Sequence, residues 1–301
     1  MSTEAITGSQ AQPTEHVVGY GPKWYTRLPL HIVIVLISVI WLLPTLALLF
    51  TSVRSIQNIS TSIWWTILWK PHEFTLQNYH QVLQAATSIG MGRAFLNSLA
   101  ITIPATILPI LLGAGAAYGF AWLRFPFRNS LFLLLVGLQV IPLQMLLIPL
   151  LRLFNQWGIV GQYPSLWIAH TAFGLPLTIY IMRNFMSGIP FELLESSRID
   201  GASEWTIFTR IILPLTTPAI AAVAIFQFMW VWNDLLVALV FTTGSDNQPM
   251  PVVIRTLVGA YDQGWHLMTA AAFLSMALPL IIFFALQRYF VTGLTAGSVK
   301  G

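Results

Sequence analysis

Two places in this 301-residue chain gather groups able to do chemistry. Four acids and two arginines fall in FELLESSRIDGASEWTIFTRIILPLTTP, Phe191 to Pro218, although only 8% of all residues are charged. A lone carboxylate, Asp234, lies in the apolar run WVWNDLLVALV at 230–240. Neither has the form of a catalytic centre. A phosphate-binding loop needs G-x-x-x-x-G-K-[ST], because backbone amides and the lysine cradle the phosphates. The three lysines, Lys23, Lys70 and Lys300, follow Pro22, Trp69 and Val299, so none completes such a loop. His72 opens HEF without the second histidine of a zinc protease, and Gly113, Gly115 and Gly119 are spaced wrongly for a dinucleotide loop. No cysteine is present to serve as nucleophile or soft metal ligand. Paired carboxylates, a His cluster and a nucleophile–base pair are also missing. The reading is no catalytic residue, no metal ligand and no cofactor in this chain.

The elements that carry these groups are membrane spans. Hydrophobic residues make up 56% of the chain, with 12 Trp and 19 Phe, far above a soluble domain of this length. The net charge of +4 fits lysines and arginines that set membrane orientation, and the apolar bulk argues against nucleic acid as a partner. A span needs roughly 20 apolar residues. Six runs qualify, approximately 31–53, 95–122, 131–151, 164–186, 215–240 and 268–290. The expected fold is an all-α integral membrane protein of six transmembrane helices. Each run contains proline, which frees a carbonyl that lipid cannot satisfy and so favours a kinked bundle. Gly115 and Gly119 form G-x-x-x-G in the second run, a close helix-packing face.

Residues 1–30 read as a polar tail, 31–290 as the membrane domain and 291–301 as a second tail. With both termini cytoplasmic, the inner segments carry Lys23, Arg27, Arg124, Arg128, Arg183, Arg198, Arg210, Arg288 and Lys300, nine of the 14 basic residues. Two long connections, roughly 54–94 and 241–267, then face outward. Trp64, Trp65, Trp69, Phe74 and Tyr79 in the first suit an interfacial belt, with a partner-docking surface as the alternative.

The loop between the fourth and fifth runs is more than topology requires. Pro190 suits a first helical turn, Glu192 and Glu195 stand near its start and Arg198 near its end, matching the helix dipole. Gly201 can supply the left-handed stop, and Ser203 can cap a second helix. Trp205, Phe208 and Ile212 recur at helical spacing, with Pro214 closing or bending the element. On physical grounds this is either an amphipathic hairpin on lipid headgroups or a docking site for a cytosolic partner.

From Glu195 the chain runs E-S-S, three residues, Gly201, nine residues, Ile211, one residue, Leu213, Pro214. This resembles the EAA loop of ATP-binding-cassette importer permeases, with Ser196 and Ser197 replacing two alanines. The RIDGAS core at 198–203 looks like the carbohydrate-importer form of that loop. WVWNDLL at 230–236 and the tail GLTAGSVKG at 293–301 are similar to the second permease subunit of maltose-type importers. The stretch WWTILWKPHEFTLQNYHQVL at 64–83 is similar to permeases for α-glucosides or glucosylated polyols.

The resemblance implies a permease of the prokaryotic cytoplasmic membrane that forms half of a carbohydrate pathway. It also implies a second permease subunit, two ATP-binding subunits carrying ATP and magnesium, and an extracytoplasmic solute-binding protein. Glu195, Ser196, Ser197, Arg198, Asp200, Gly201, Ala202, Leu213 and Pro214, within an EAA-like loop at 190–214, would then couple to the ATPase. A charge inside a span costs about 2.5–3.5 kcal/mol unless solvated or paired. Trp232, Asn233 and Asp234 are therefore read either as part of a translocation path or, for Asp234, as the brace of a helix break. Gln139 and Gln227 are candidates for the same path, and Gln144 and His170 could face it too. An ion-coupled secondary transporter of a small polar solute is the alternative.

Overall fold

The computed structural model describes residues 27–84, 89–260 and 264–295. The terminal segments 1–26 and 296–301 lie outside the described residues, and with them most of the two tails and the end of the GLTAGSVKG match. The described residues are helical and divide into two compact units, the second beginning at Leu48. Most of the first unit's described part is one apolar helix, α1 (Leu28–Ser52), whose last turn enters the second unit.

The second unit continues with α2 (Ile56–Thr61), α3 (Gln77–Gln84), α4 (Met91–Trp122), α5 (Arg128–Gly137), α6 (Leu143–Gln156) and α7 (Tyr163–Met186). Beyond these come α8 (Phe191–Ile199), α9 (Glu204–Ile207), α10 (Leu213–Leu215), α11 (Thr217–Trp232), α12 (Leu236–Thr242), α13 (Met250–Ala260) and α14 (Trp265–Thr295). Among the described residues, α1, α4, α7 and α14 are long and apolar enough to cross a membrane. Two bent pairs bring the number to six if each is one span.

The third expected run, 131–151, is not one helix. It breaks at Ile141 and Pro142, bends by 96° and ends at Gln156. Proline at 142 has no N–H to give and pushes the preceding residue toward extended backbone, where Ile141 is found at ψ 119. The fifth run, 215–240, also divides, because α11 stops at Trp232 and α12 starts at Leu236. Prolines 44, 104, 109, 149, 176 and 279 lie inside uninterrupted helices.

α4 and α7 form the tightest helix pair. Here the expected glycine face is corrected. A Cβ on Gly113 would lie 2.5 Å from Cγ2 of Thr178, whereas one on Gly115 would meet nothing within 4 Å. The close approach runs through Gly113, where a hydrogen in place of a methyl lets the backbones meet.

The connection between α1 and α4 is folded around a buried ion pair. Arg54 is 1% exposed, and its Nε and Nη2 lie 3.0 and 2.6 Å from Oε2 of Glu73. The remaining guanidinium hydrogens go to the carbonyls of Asn58 and Ile63 and to the hydroxyls of Ser62 and Thr66. Asn78 donates to the carbonyls of Ser52 and Arg54, both at 2.8 Å. A buried guanidinium is tolerable only when its donors are met, as they are here.

Candidate functional site

The loop after α7 turns its apolar residues into the bundle and its charged residues out. Leu194, Ile207 and Ile212 are fully buried and pack with Ala117 and Tyr118 of α4, Met182 and Met186 of α7 and Val223 of α11. Glu195, Arg198, Asp200 and Gly201 are exposed, and so are Ile199 at 81% and Trp205 at 72%. Two large apolar side chains held out beside carboxylates on a rigid base make a surface suited to a protein partner.

Local chemistry shapes the loop. The Ser197 hydroxyl donates to the Leu193 carbonyl at 2.6 Å and that of Ser196 to the same oxygen at 3.2 Å, so both small polar residues are absorbed by the helix. Gly201 has φ +81, a left-handed value that stops α8. The Ala202 amide donates to Ser197 and the Gly201 amide to Arg198, closing the turn. Ser203 caps α9 by accepting from the Thr206 amide at 3.2 Å. The expected amphipathic second helix differs in detail. A π-turn at Phe208–Ile212 follows the one-turn α9, adding a residue to the turn, so Ile207 rather than Trp205 faces inward with Ile212. Leu213 and Pro214 lie in α10, ahead of the 71° bend into α11.

Sequence spacing did not single out Glu204, which joins the loop together. Its Oε1 accepts from Nε of Arg198 at 2.8 Å and its Oε2 accepts from the Tyr118 hydroxyl. The Arg198 hydrogen bond, and after it that of Tyr118, hold the Glu204 carboxyl below the ordinary 4.5, against a smaller upward effect of burial.

Deeper in the bundle, α11 ends at the break expected to carry a path. Trp232 is 1% exposed, donates its indole N–H to the Ser275 carbonyl at 3.0 Å and stacks on Phe228. It belongs to the packed core. The Asp234 carboxylate accepts from the Ala238 amide at 3.0 Å, capping α12, and lies 3.8 Å from Nε2 of buried His170. Asn233 is exposed and bonds back to the Met229 carbonyl. Gln227 donates to the carbonyls of Ala105 and His170 at 3.2 and 3.3 Å, bridging α4, α7 and α11.

A cavity of about 640 Å³ opens at the break between α5 and α6, lined among others by Gln139, Phe173, Leu177, Gln227 and Trp230. Gln139 and Gln227 are thus brought together, whereas Trp232 is not. Trp230 replaces it at the wall, with its ring edge-on to His170 at 5.7 Å. The helical period carried this signal, since residues 227 and 230 share a face that 232 leaves. Among the described residues no three His, Cys, Asp or Glu converge as metal ligands would.

A bundle of bent apolar helices with a cavity among them and a braced loop beside it has the form of a membrane transport subunit. The chain belongs to the family described as binding-protein-dependent transport system inner membrane component, whose profile matches residues 105–295. It is 51% identical over 282 residues to the osmoprotective compounds uptake permease protein GgtD of Synechocystis sp., covering 92% of this chain and 94% of that one. Identity to the alpha-glucoside transport system permease protein AglG of Rhizobium meliloti is 54% over 237 residues, 77% of this chain and 62% of that one. In fold it is similar to a chain in the crystal structure of a bacterial ABC transporter that imports the acidic polysaccharide alginate, with a TM-score of 0.74, 18% identity, and 88% of this chain and 96% of that one covered. The chain is therefore an inner-membrane permease subunit of an ATP-binding-cassette importer rather than an enzyme.

Proposed function

We propose that this permease forms half of a carbohydrate pathway and couples it, through the loop at 190–214, to a cytosolic ATPase. In this reading the chain crosses the membrane six times, with residues 1–30, 291–301 and α8 on the cytoplasmic side. A second permease subunit completes the pathway. Two ATPase subunits bind ATP and magnesium, and an external solute-binding protein delivers the solute. The substrate class is supported by the alpha-glucoside relative and by a melibiose/raffinose/stachyose import permease protein of Bacillus subtilis, 32% identical over 260 residues.

One observation carries the coupling role. The loop is bolted into three spans by Leu194, Ile207 and Ile212 while Glu195, Arg198, Asp200 and Gly201 stay exposed. A partner pushing on that surface moves the bundle, because rigid packing transmits displacement. Ser196, Ser197, Ala202, Leu213 and Pro214 shape the loop rather than touch the partner. Gln139, Gln227 and Trp230 contact the solute, an aromatic face beside neutral hydrogen-bonding groups. Trp232, Asn233 and Asp234 hold the break that ends α11, the helix that brings Gln227 and Trp230 to the cavity wall. Family membership leaves no role for the ion-coupled alternative.

The test is binding-protein-stimulated ATP hydrolysis in liposomes holding the complete transporter, with wild-type chain or Gly201→Asp. Loss of stimulation with the membrane subunits still assembled is the expected result. Full stimulation in the variant would remove the loop from the coupling role.

A further inference from the structure

One face of α7 links the cavity described above to a second one. Phe173, Leu177, Tyr180, Asn184 and Ser187 follow at steps of four, three, four and three. At 100° per residue they fall within about 40° of one line, and at 1.5 Å per residue the line is about 21 Å long. Phe173 and Leu177 line the Trp230 cavity. Tyr180, Asn184 and Ser187, all exposed, line a separate cavity of about 930 Å³ whose wall also includes Pro190, Leu193 and Leu215. The stripe passes from apolar to polar as it nears α8.

Where one set of residues gives way to the other, Phe132 of α5 stacks on Tyr180 with ring centroids 6.3 Å apart. Its face also carries the Arg183 guanidinium, 4.9 Å from the ring centroid. Arg183 donates to Oδ1 of Asn184 at 3.3 Å, and its Nε is buried without a hydrogen-bond partner. A guanidinium, an amide, a phenol and a hydroxyl around one space form a polar, water-compatible lining, costly against lipid and suited to a hydroxylated solute.

We infer that the second cavity is a further chamber of the translocation path, where Tyr180, Asn184 and Ser187 contact the same hydroxylated solute after it leaves the Trp230 cavity. The stack of Phe132 on Tyr180 stands at the point along α7 where the lining changes from one cavity to the other. This rests on the chain being half of a solute pathway, with α8 on the cytoplasmic side.

The absence of cysteine makes the test direct, since any introduced thiol on this chain is unique. Phe173→Cys, Asn184→Cys and Ser187→Cys are each assembled with cysteine-free partner subunits in vesicles. Each is treated with a charged, membrane-impermeant thiosulfonate and, separately, with a lipophilic maleimide, in nucleotide-free and vanadate-trapped states. The expected result is that thiols at 184 and 187 react with the charged reagent without nucleotide and lose that reactivity on trapping, as the thiol at 173 changes too. If position 173 responds to trapping but 184 and 187 keep one rate, the chamber is refuted and the pathway stands. Reaction only with the lipophilic reagent marks a lipid-facing groove and refutes it as well, as does inertness to both reagents in both states, which marks a covered protein interface. If position 173 is also indifferent to trapping, the pathway itself fails and the chamber with it.

Discussion

Tyr118, near the end of α4, donates its hydroxyl hydrogen to Oε2 of Glu204, the first residue of α9 and 86 positions further along the chain. Glu204 takes Arg198 on its other oxygen, so one carboxylate ties α8, α9 and a membrane span together. Tyr118→Phe removes one hydrogen bond, costing about 1 kcal/mol, too little to unfold the bundle. The expected outcome is a complex that assembles and hydrolyses ATP while moving less solute per ATP consumed. Equal ratios in variant and wild type, measured side by side in proteoliposomes, would mean the contact is only structural.

Protonation of Glu204 should open the same junction. Its folded-state carboxyl lies below the ordinary 4.5, so its contribution to stability is complete above that value and is lost as pH falls through the lower, folded-state value. Thermal unfolding of purified complex should therefore show a wild-type advantage over Glu204→Gln that holds at neutral pH and narrows on acidification below about 4.5. An advantage that does not change with pH would remove the ionised carboxylate from the explanation.

Gly174 and Gln227 should behave as one unit. A Cβ on Gly174 would lie 2.5 to 2.8 Å from the Gln227 amide group, forcing it off the Ala105 and His170 carbonyls. Gly174→Ala is expected to lower thermal stability and weaken solute uptake, and the shorter Gln227→Ser should restore part of the stability in the double variant. Coupling energies for touching residues run about 0.5–3 kcal/mol. Strict additivity in a double-mutant cycle would show that the two do not communicate.

Arg54 and Glu73 make the sharpest stability prediction. Removing one member of a buried pair leaves the other charge stranded, at a cost of about 3–5 kcal/mol. Arg54→Gln should expose the connection between α1 and α4 to protease. The paired change Arg54→Met with Glu73→Leu should be much milder. Hydrogen exchange across residues 54–84 would separate this local opening from global unfolding.

Much of the loop was legible in the sequence because its determinants are local. Pro190, Gly201 and Ser203 act on their immediate neighbours, and the turn formed at their spacing. Span existence was legible for the same reason, as apolar length needs no partner. The break in the fifth run was legible only as one of two readings of Asp234, because the local bond to the Ala238 amide fits a brace while the neighbouring His170, 64 positions away, lies outside any window of sequence. Tyr118 and Glu204 escaped notice likewise. Gly113 was outranked by the more regular pair Gly115 and Gly119, since only the neighbouring helix decides which glycine it meets. Arg54 falls in the connection expected to face outward, and nothing in its sequence neighbourhood signals that it is almost completely enclosed.

That enclosure bears on how the protein is made. Arg54 follows the last residue of α1 by two positions, and its carboxylate partner is synthesised 19 residues later. A positive charge beside a span tends to be retained in the cytoplasm, so in the orientation proposed above Arg54 would have to move outward against that preference. With Glu73 beside it, the guanidinium is bonded to a carboxylate, two carbonyls and two hydroxyls, so its charge is met within the connection itself. In that orientation the knot would hold the end of the first span in place as soon as residues 54–73 have been made, using contacts that lie within 19 residues of one another.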